Sequence, residues 1–281
     1  ISSDTVNLDF ISTGAGTTGA ADVAAQTASG SVTVNGKVYA PAVGQLNTPT
    51  VDFGIVRVGD TVRRNTAPQS PLIHKLLLHL ETQGFDAAPR FLGLDDAGRE
   101  MLSFIPGTSE ATPETWEGDD AALAAVRLLR RYHDATTALV AEKHEGWAIS
   151  SPNPARHEVI CHNDLGPYNM VFDGARPVAI IDFDLAGPGP RIRDLAYLAY
   201  WFAPLCFSRD DLAPLAEAEL AAGCPRLRLI CAEYGHGDMP ALLDMLAISL
   251  LHLSSASATA RVVGQEVAAQ LAADGYLQDW Q

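Results

Sequence analysis

The sequence predicts an α+β protein of two lobes, a small β-rich N-terminal lobe and a larger, mainly helical C-terminal lobe. Three observations predict it. Two hairpin signals, each centred on a glycine, precede residue 65. Beyond residue 118, apolar residues recur at helical spacing for most of the remaining chain. Between residues 158 and 184 that pattern is interrupted by three short strand-like runs around a polar loop, "EVICHND", "NMVF" and "VAIIDFD".

The elements follow in order. Residues 1–50 form an atypical N-terminal segment, rich in Gly, Ala, Ser and Thr and poor in charge, with strand character in "SVTVNGKVYAP". There Val32, Val34, Val38 and Tyr39 flank Asn35-Gly36, a pair that tolerates the positive φ of a tight hairpin turn. A second hairpin, "FGIVRVGDTVRR", turns at Gly59-Asp60. From Ser70, with Pro71 in the first turn, "SPLIHKLLLHLETQGF" predicts a helix that ends near Gly84. Two strands, "RFLGL" and "EMLSFI", complete a small lobe over residues 51–105, and Pro106-Gly107 breaks the pattern. The larger lobe spans residues 106–281, with "DDAALAAVRLLRRYHDATTALV" as its clearest amphipathic helix and further helices from Leu212 onward. No internal repeat is present.

Composition narrows the function classes. With 281 residues and 47% hydrophobic content, the chain has enough apolar mass for a real core. Nineteen Lys and Arg against 34 Asp and Glu give a net charge of −15, which argues against nucleic acid as a partner. The same balance mildly favours a cationic small molecule. Cys161, Cys206, Cys224 and Cys231 form no C-x-x-C pair and have apolar neighbours, so they read as reduced core thiols. No apolar run reaches the ~18 residues of a membrane span. A cytoplasmic protein without a membrane partner is expected, and nothing in the sequence sets its oligomeric state.

The polar loop carries the chemistry. In "ICHNDLGPYNMVFDG", His162, Asp164 and Asn169 stand at His-x-Asp-x-x-x-x-Asn, and Asp182 of "AIIDFD" lies thirteen residues after Asn169. Gly166-Pro167 forbids a helix between Asp164 and Asn169, so these residues sit on a loop. An Asp and an Asn on that loop, with a second Asp at the end of a strand, present hard oxygen ligands of the kind that hold Mg²⁺ together with substrate phosphates. Zinc is a poorer match, because the further His or Cys ligands it needs are missing.

This pattern resembles the protein-kinase signature H-R-D-L-x-x-x-N followed by D-F-G, here His162-Asn163-Asp164-Leu165 to Asn169 and then Asp182-Phe183-Asp184. Two departures narrow it. Asn163 replaces the arginine, and only eleven residues separate Asp182 from Asp194 of "RDLAYLAYWF", too few for an activation loop; no A-P-E follows. The chain is therefore similar to the aminoglycoside phosphotransferase and choline kinase-like family over about residues 51–280, including "VRVGDTVRR", "APRFLGLDDAGREMLSFIPG" and "YHDAT".

The resemblance implies a bilobal protein kinase-like fold whose 51–105 lobe binds nucleotide and whose 106–281 lobe holds the catalytic loop and the acceptor. It implies ATP and Mg²⁺ as cofactors and a small hydroxylated molecule as acceptor. Asp164 would be catalytic, Asn169 and Asp182 the metal ligands, and His162 and Asp194 supporting residues, with Asp194 bonding the catalytic-loop backbone. Asp184 is either a second metal neighbour or a solvated acid. Kinases supply a lysine for the phosphates on the third strand; here none is available, and Arg63, sharing a strand face with Thr61, takes its place, with Arg64 a close rival. His74 stands where a helix glutamate usually orients that cation. The backbone of Ser103 to Ile105 would meet adenine. Tyr197, Tyr200 and Trp201 recur at helical spacing and read as core.

Two other readings stay open. One is a catalytically silent kinase-like binding module, suggested by the missing Lys-Glu pair. The other, ranked last, is a dinucleotide-dependent oxidoreductase built on "GAGTTG", Gly14 to Gly19, ahead of "AADVAAQTA".

Overall fold

The structure is a computed structural model that describes residues 32–34, 37–39, 55–109, 112–116, 118–142, 145–203, 205, 225–255, 257, 260 and 265–273. The Gly14–Gly19 segment, Cys206 and Cys224 lie outside the described residues. Contacts divide the chain into two units, Ile1–Ala67 with Pro89–Ile105, and Pro68–Ala88 with Pro106–Gln281.

Among the described residues, the regular elements of the first unit are antiparallel strands. β1 (Val32–Val34) pairs with β2 (Lys37–Tyr39), Val34 opposite Lys37, as the Asn35-Gly36 signal predicts. A four-stranded sheet follows, built from β3 (Ile55–Val58), β4 (Thr61–Arg64), β5 (Phe91–Leu94) and β6 (Glu100–Ser103) in the order β3-β4-β6-β5. Its β3–β4 turn holds Gly59 at φ +60°, a conformation that costs glycine least. The β4–β6 register sets Arg63 opposite Met101 and Arg64 opposite Glu100, so the two arginines project to opposite faces.

The second unit carries the helices. α1 (Ser70–Thr82) begins at Pro71 as expected, but it belongs to this unit and not to the strand-rich one. The reason is its apolar stripe, Ile73, Leu76, Leu77 and Leu80, all buried, which packs on α3 (Asp119–Thr136). The His79 ring lies 2.9 Å from the Ala135 carbonyl, and Phe85 meets Tyr132 with ring centroids 5.9 Å apart. α2 (Pro113–Trp116) precedes α3, whose first turn holds Asp119 and Asp120 and whose last turn holds His133, the charge order a helix dipole favours.

Two short strand pairs frame the polar loop. β7 (Val159–Cys161) leads into it and pairs antiparallel with β10 (Gly187–Gly189). β8 (Met170–Asp173) leads out and pairs with β9 (Arg176–Ile180). The further described helices of the unit are α4 (Arg191–Phe202), α5 (Pro225–Tyr234), α6 (Met239–Leu253) and α7 (Gln265–Ala273). Among the described residues, Cys161 and Cys231 are reduced and buried, and no helix is long and apolar enough to cross a membrane.

Candidate active site

The loop between β7 and β8 is fixed by one buried carboxylate. Asp194, in the first turn of α4 and wholly inaccessible, accepts the backbone N–H of His162 at 2.6 Å and of Asn163 at 2.9 Å. Its Oδ2 also lies 3.0 Å from His133 Nε2, and His133 Nδ1 lies 2.6 Å from the Tyr234 hydroxyl. Burial alone would push Asp194 up, but hydrogen bonds from His133 and from the loop backbone hold it below the usual carboxylate range. Burial pushes His133 down. A neutral imidazole therefore donates Nε2–H to the Asp194 carboxylate and accepts the Tyr234 hydroxyl proton at Nδ1.

The remaining loop contacts aim Asp164. Asn163 sits at φ +69°, a left-handed position that asparagine tolerates, and its amide donates to Leu185 O at 2.7 Å. His162 is buried; its Nε2 lies 2.9 Å from Ile181 O, while Nδ1 accepts the Asp164 N–H at 3.3 Å. The Phe183 ring meets it at a tilt, centroids 5.0 Å apart. Asp164 itself is clasped on both oxygens. Asn169 Nδ2 donates to Oδ2 at 3.0 Å, and the Tyr168 hydroxyl donates to Oδ1 at 2.5 Å. Burial raises its pKa, and the hydrogen bonds from Tyr168, Tyr197 and Asn169 oppose that rise without cancelling it.

The strand ladder brings the second acid to the loop. Ile181 N–H donates to Asn169 O at 3.0 Å, so Asp182 follows directly from the residue bonded to Asn169. Asp182 stands at φ +62°, the second non-glycine residue in the left-handed region, and such positions gather at functional sites. Both amide protons of Asn169 go to Asp164, one to its carbonyl at 2.9 Å, which leaves the amide oxygen as the ligating end of the side chain. An amide oxygen beside a carboxylate is an oxygen-only donor set and suits Mg²⁺. Among the described residues no group of three or more His, Cys, Asp or Glu is placed to hold a metal ion. Asp184 is half-buried, and its carbonyl accepts from Gln69 Nε2 at 3.3 Å.

In the strand-rich unit, Arg63 donates to Thr61 Oγ1 at 3.2 Å, as their shared face requires, and lies 3.9 Å from Asp95, a carboxylate already bonded to Arg99 at 2.8 Å. Arg64 forms an ion pair with Glu100, which is fully buried. Within the strand-rich unit, Glu100 of β6 thus supplies the carboxylate beside Arg64. Ser103 N–H donates to Arg90 O and Phe104 N–H to Asp60 O, both at 2.9 Å. Ile105 ends the unit.

Three residues were missed by sequence reasoning: Tyr168, His133 and Glu100. Tyr168 was visible as the residue before Asn169, but nothing in its spacing announced a bond to Asp164. Tyr197 and Tyr200 are buried as expected, yet the Tyr197 hydroxyl lies 2.7 Å from that of Tyr168 and so reaches the site. Trp201 is half-buried and meets the Tyr168 ring edge-on, centroids 5.5 Å apart.

A family model described as the phosphotransferase enzyme family matches residues 141–234, the stretch that contains all of this loop. The trifolitoxin immunity protein of Rhizobium leguminosarum bv. trifolii is 33% identical over 186 residues, 64% of this chain and 70% of that one. The chain belongs to the phosphotransferase enzyme family. As a member of it, the chain is a small-molecule kinase by class. Solved phosphotransferases show more distant likeness. The gentamicin complex of aminoglycoside phosphotransferase APH(2")-IIa is 14% identical at a TM-score of 0.47, with 80% of this chain and 89% of that chain covered. Macrolide 2'-phosphotransferase MphH from Brachybacterium faecium is 17% identical at 0.46, with 76% and 86% covered. Aminoglycoside phosphotransferase APH(3'')-Id from Streptomyces rimosus, with ADP and streptomycin, is 18% identical at 0.44, with 68% and 87% covered.

Proposed function

We propose that this phosphotransferase moves the γ-phosphoryl group of ATP, with Mg²⁺, onto the hydroxyl of a small molecule. The observation that carries the reading is the Asp164 carboxylate, fixed in direction on an anchored loop and bonded to Asn169, with Asp182 adjacent through the strand ladder. Asp164 orients the acceptor hydroxyl and takes its proton as the new O–P bond forms; the bond to ADP breaks, and ADP leaves with its electron pair. Asn169 and Asp182 are the metal ligands. Bound Mg²⁺ supplies neutralisation of charge on the phosphate oxygens, the term that dominates such transfers along with positioning.

In the strand-rich unit the reading assigns phosphate oxygens to Arg63, since the Arg64 guanidinium is matched by buried Glu100. It assigns adenine to the Ser103 to Ile105 backbone. The relative at 33% identity is named for immunity to a toxin. An acceptor that is itself toxic, such as an aminoglycoside-like antibiotic, and that is inactivated by phosphorylation of a hydroxyl, joins that name to phosphotransfer.

Two measurements test the reading. ATP with Mg²⁺ should raise the melting temperature by several degrees, whereas ATP without Mg²⁺ and NAD should not. Asp164→Ala should lower turnover by about 10³-fold while keeping that ATP-induced shift. Equal turnover in the variant sinks the assignment of Asp164.

A further inference from the structure

Tyr168 holds the candidate base directly through its hydroxyl. A base orients a hydroxyl through a carboxylate oxygen, and in Asp164 one oxygen already accepts from the Asn169 amide at 3.0 Å and the other from the Tyr168 hydroxyl at 2.5 Å. The second distance is short, as expected when an O–H donates to an ionised oxygen. Tyr168 is braced in turn. Its hydroxyl lies 2.7 Å from that of Tyr197 on α4. A Cβ at Gly166 would collide with the Tyr168 ring, so glycine there is what lets the ring lie over the loop.

The same tyrosine is 41% exposed, while Tyr197 and Tyr200 behind it are buried. Its ring can therefore turn outward without opening a core. The hydroxyl is well held, yet its displacement requires only the exchange of one hydrogen bond for another.

We infer that Tyr168 is a positioning residue that gates the base: its hydroxyl stands in for the acceptor hydroxyl on Asp164, excluding water until an acceptor with a bound scaffold displaces it. This rests on the phosphotransferase reading above. Water has no scaffold and brings no remote binding energy with which to move the tyrosine, whereas a molecule held by other contacts does. Without the gate, water itself becomes the acceptor. Its oxygen bonds to the γ-phosphorus, its proton passes to Asp164, and the bond to ADP breaks with the electron pair leaving on ADP.

The test needs no knowledge of the natural acceptor. ADP release from ATP and Mg²⁺ is measured with no alcohol added, in wild type, Tyr168→Phe, Tyr197→Phe, Asp164→Ala and the double variant Tyr168→Phe/Asp164→Ala. Tyr168→Phe keeps the ring and removes only the hydroxyl; it should raise hydrolysis about tenfold, the worth of one charge-assisted hydrogen bond. Tyr197→Phe should raise it by a smaller factor, and the double variant should fall to the rate of Asp164→Ala. Lost packing lowers a rate and does not raise one, so the direction separates a gate from a merely structural residue. Gly166→Ala, which pushes the ring away by collision, should move hydrolysis in the same direction as Tyr168→Phe.

The ATP-dependent melting shift, recorded for each protein, separates the possible failures. A Tyr168→Phe rate at or below wild type, in proteins that keep the shift, overturns the gate alone. So does a raised rate that survives in the double variant, because the base would not be involved. No shift and no hydrolysis in any protein overturns the phosphotransferase reading and the gate with it.

Discussion

The polar loop between β7 and β8 has two sides built on opposite physical terms. On the anchored side, His162 and Asn163 hang from Asp194, which is tied through His133 to Tyr234, and Asp194 and His133 are wholly buried. On the working side, Asp164 is clasped by Tyr168, whose ring is half in solvent and whose hydroxyl passes on to Tyr197. Both are chains of hydrogen bonds running from a carboxylate through aromatic side chains. In the first, every group lost leaves a buried partner without water to replace it. In the second, an incoming hydroxyl can substitute for one already present. Permanence and exchange thus come from burial, not from the number of bonds.

The largest expected effect is that of breaking the anchor at its centre. Asp194→Ala removes the acceptor of two loop N–H groups and of His133 Nε2–H at once. A loss of about 3–5 kcal/mol is expected in urea unfolding, with turnover lost alongside. Asp164→Ala should lower turnover by about 10³-fold at nearly unchanged stability. If the two variants lose stability equally, the distinction between the two sides fails.

How far this contrast could be read in advance depends on the kind of residue. The strand pairs, α1 and α3 follow from turn chemistry and periodicity because those signals are local: Asn35-Gly36, Gly59, Pro71 and a stripe such as Ile73, Leu76, Leu77 and Leu80 each act within a few residues. The spacing of Asp164, Asn169 and Asp182 was legible because one hairpin brings them together. The assignment of α1 was not legible, since an apolar stripe says that a helix packs but not on what. Nor was Glu100, which acquires its meaning only when β6 aligns with β4 and sets it opposite Arg64. His133 and Tyr234 lie 101 residues apart and meet only through the packing of α3 and α5. No local pattern encodes such a meeting.

A change of pH sharpens the contrast without mutating the working side. The folded pKa of His133 is lowered from 6.5 by burial, so below about 6.5 the unfolded chain takes a proton that the folded protein refuses. Its contribution is therefore fully present above that pH and is lost as the pH falls toward the lowered value. Asp194, lowered from 3.8, adds its loss only in more acid solution. Stability of the wild type should thus fall between pH 6.5 and 4 more steeply than that of His133→Gln, by at most about 1.4 kcal/mol per pH unit. Gln keeps one donor for Asp194 and one acceptor for Tyr234 but cannot titrate. Parallel pH curves for the two proteins would place the acid-sensitive group elsewhere.

The smallest effect tests whether the anchor is static to its end. Tyr234→Phe removes a single hydroxyl, 2.6 Å from His133 Nδ1, and leaves the imidazole bonded to Asp194. Burial pushes the Tyr234 phenol up to about 12, so at neutral pH it is a neutral donor and no charge is lost with it. The hydroxyl also takes a hydrogen bond from Arg191, so two bonds worth together about 2 kcal/mol are lost, and the urea midpoint should fall accordingly. Turnover should stay within about twofold of wild type, because the loop backbone still hangs from Asp194 and a loss of about 2 kcal/mol of global stability leaves nearly every molecule folded. A deeper loss of turnover in Tyr234→Phe would mean that the imidazole shifts when its far nitrogen loses its partner and carries Asp194 and the loop with it. The anchored side would then be a lever that transmits strain from α5 to Asp164, and burial alone would no longer separate the side that holds from the side that exchanges.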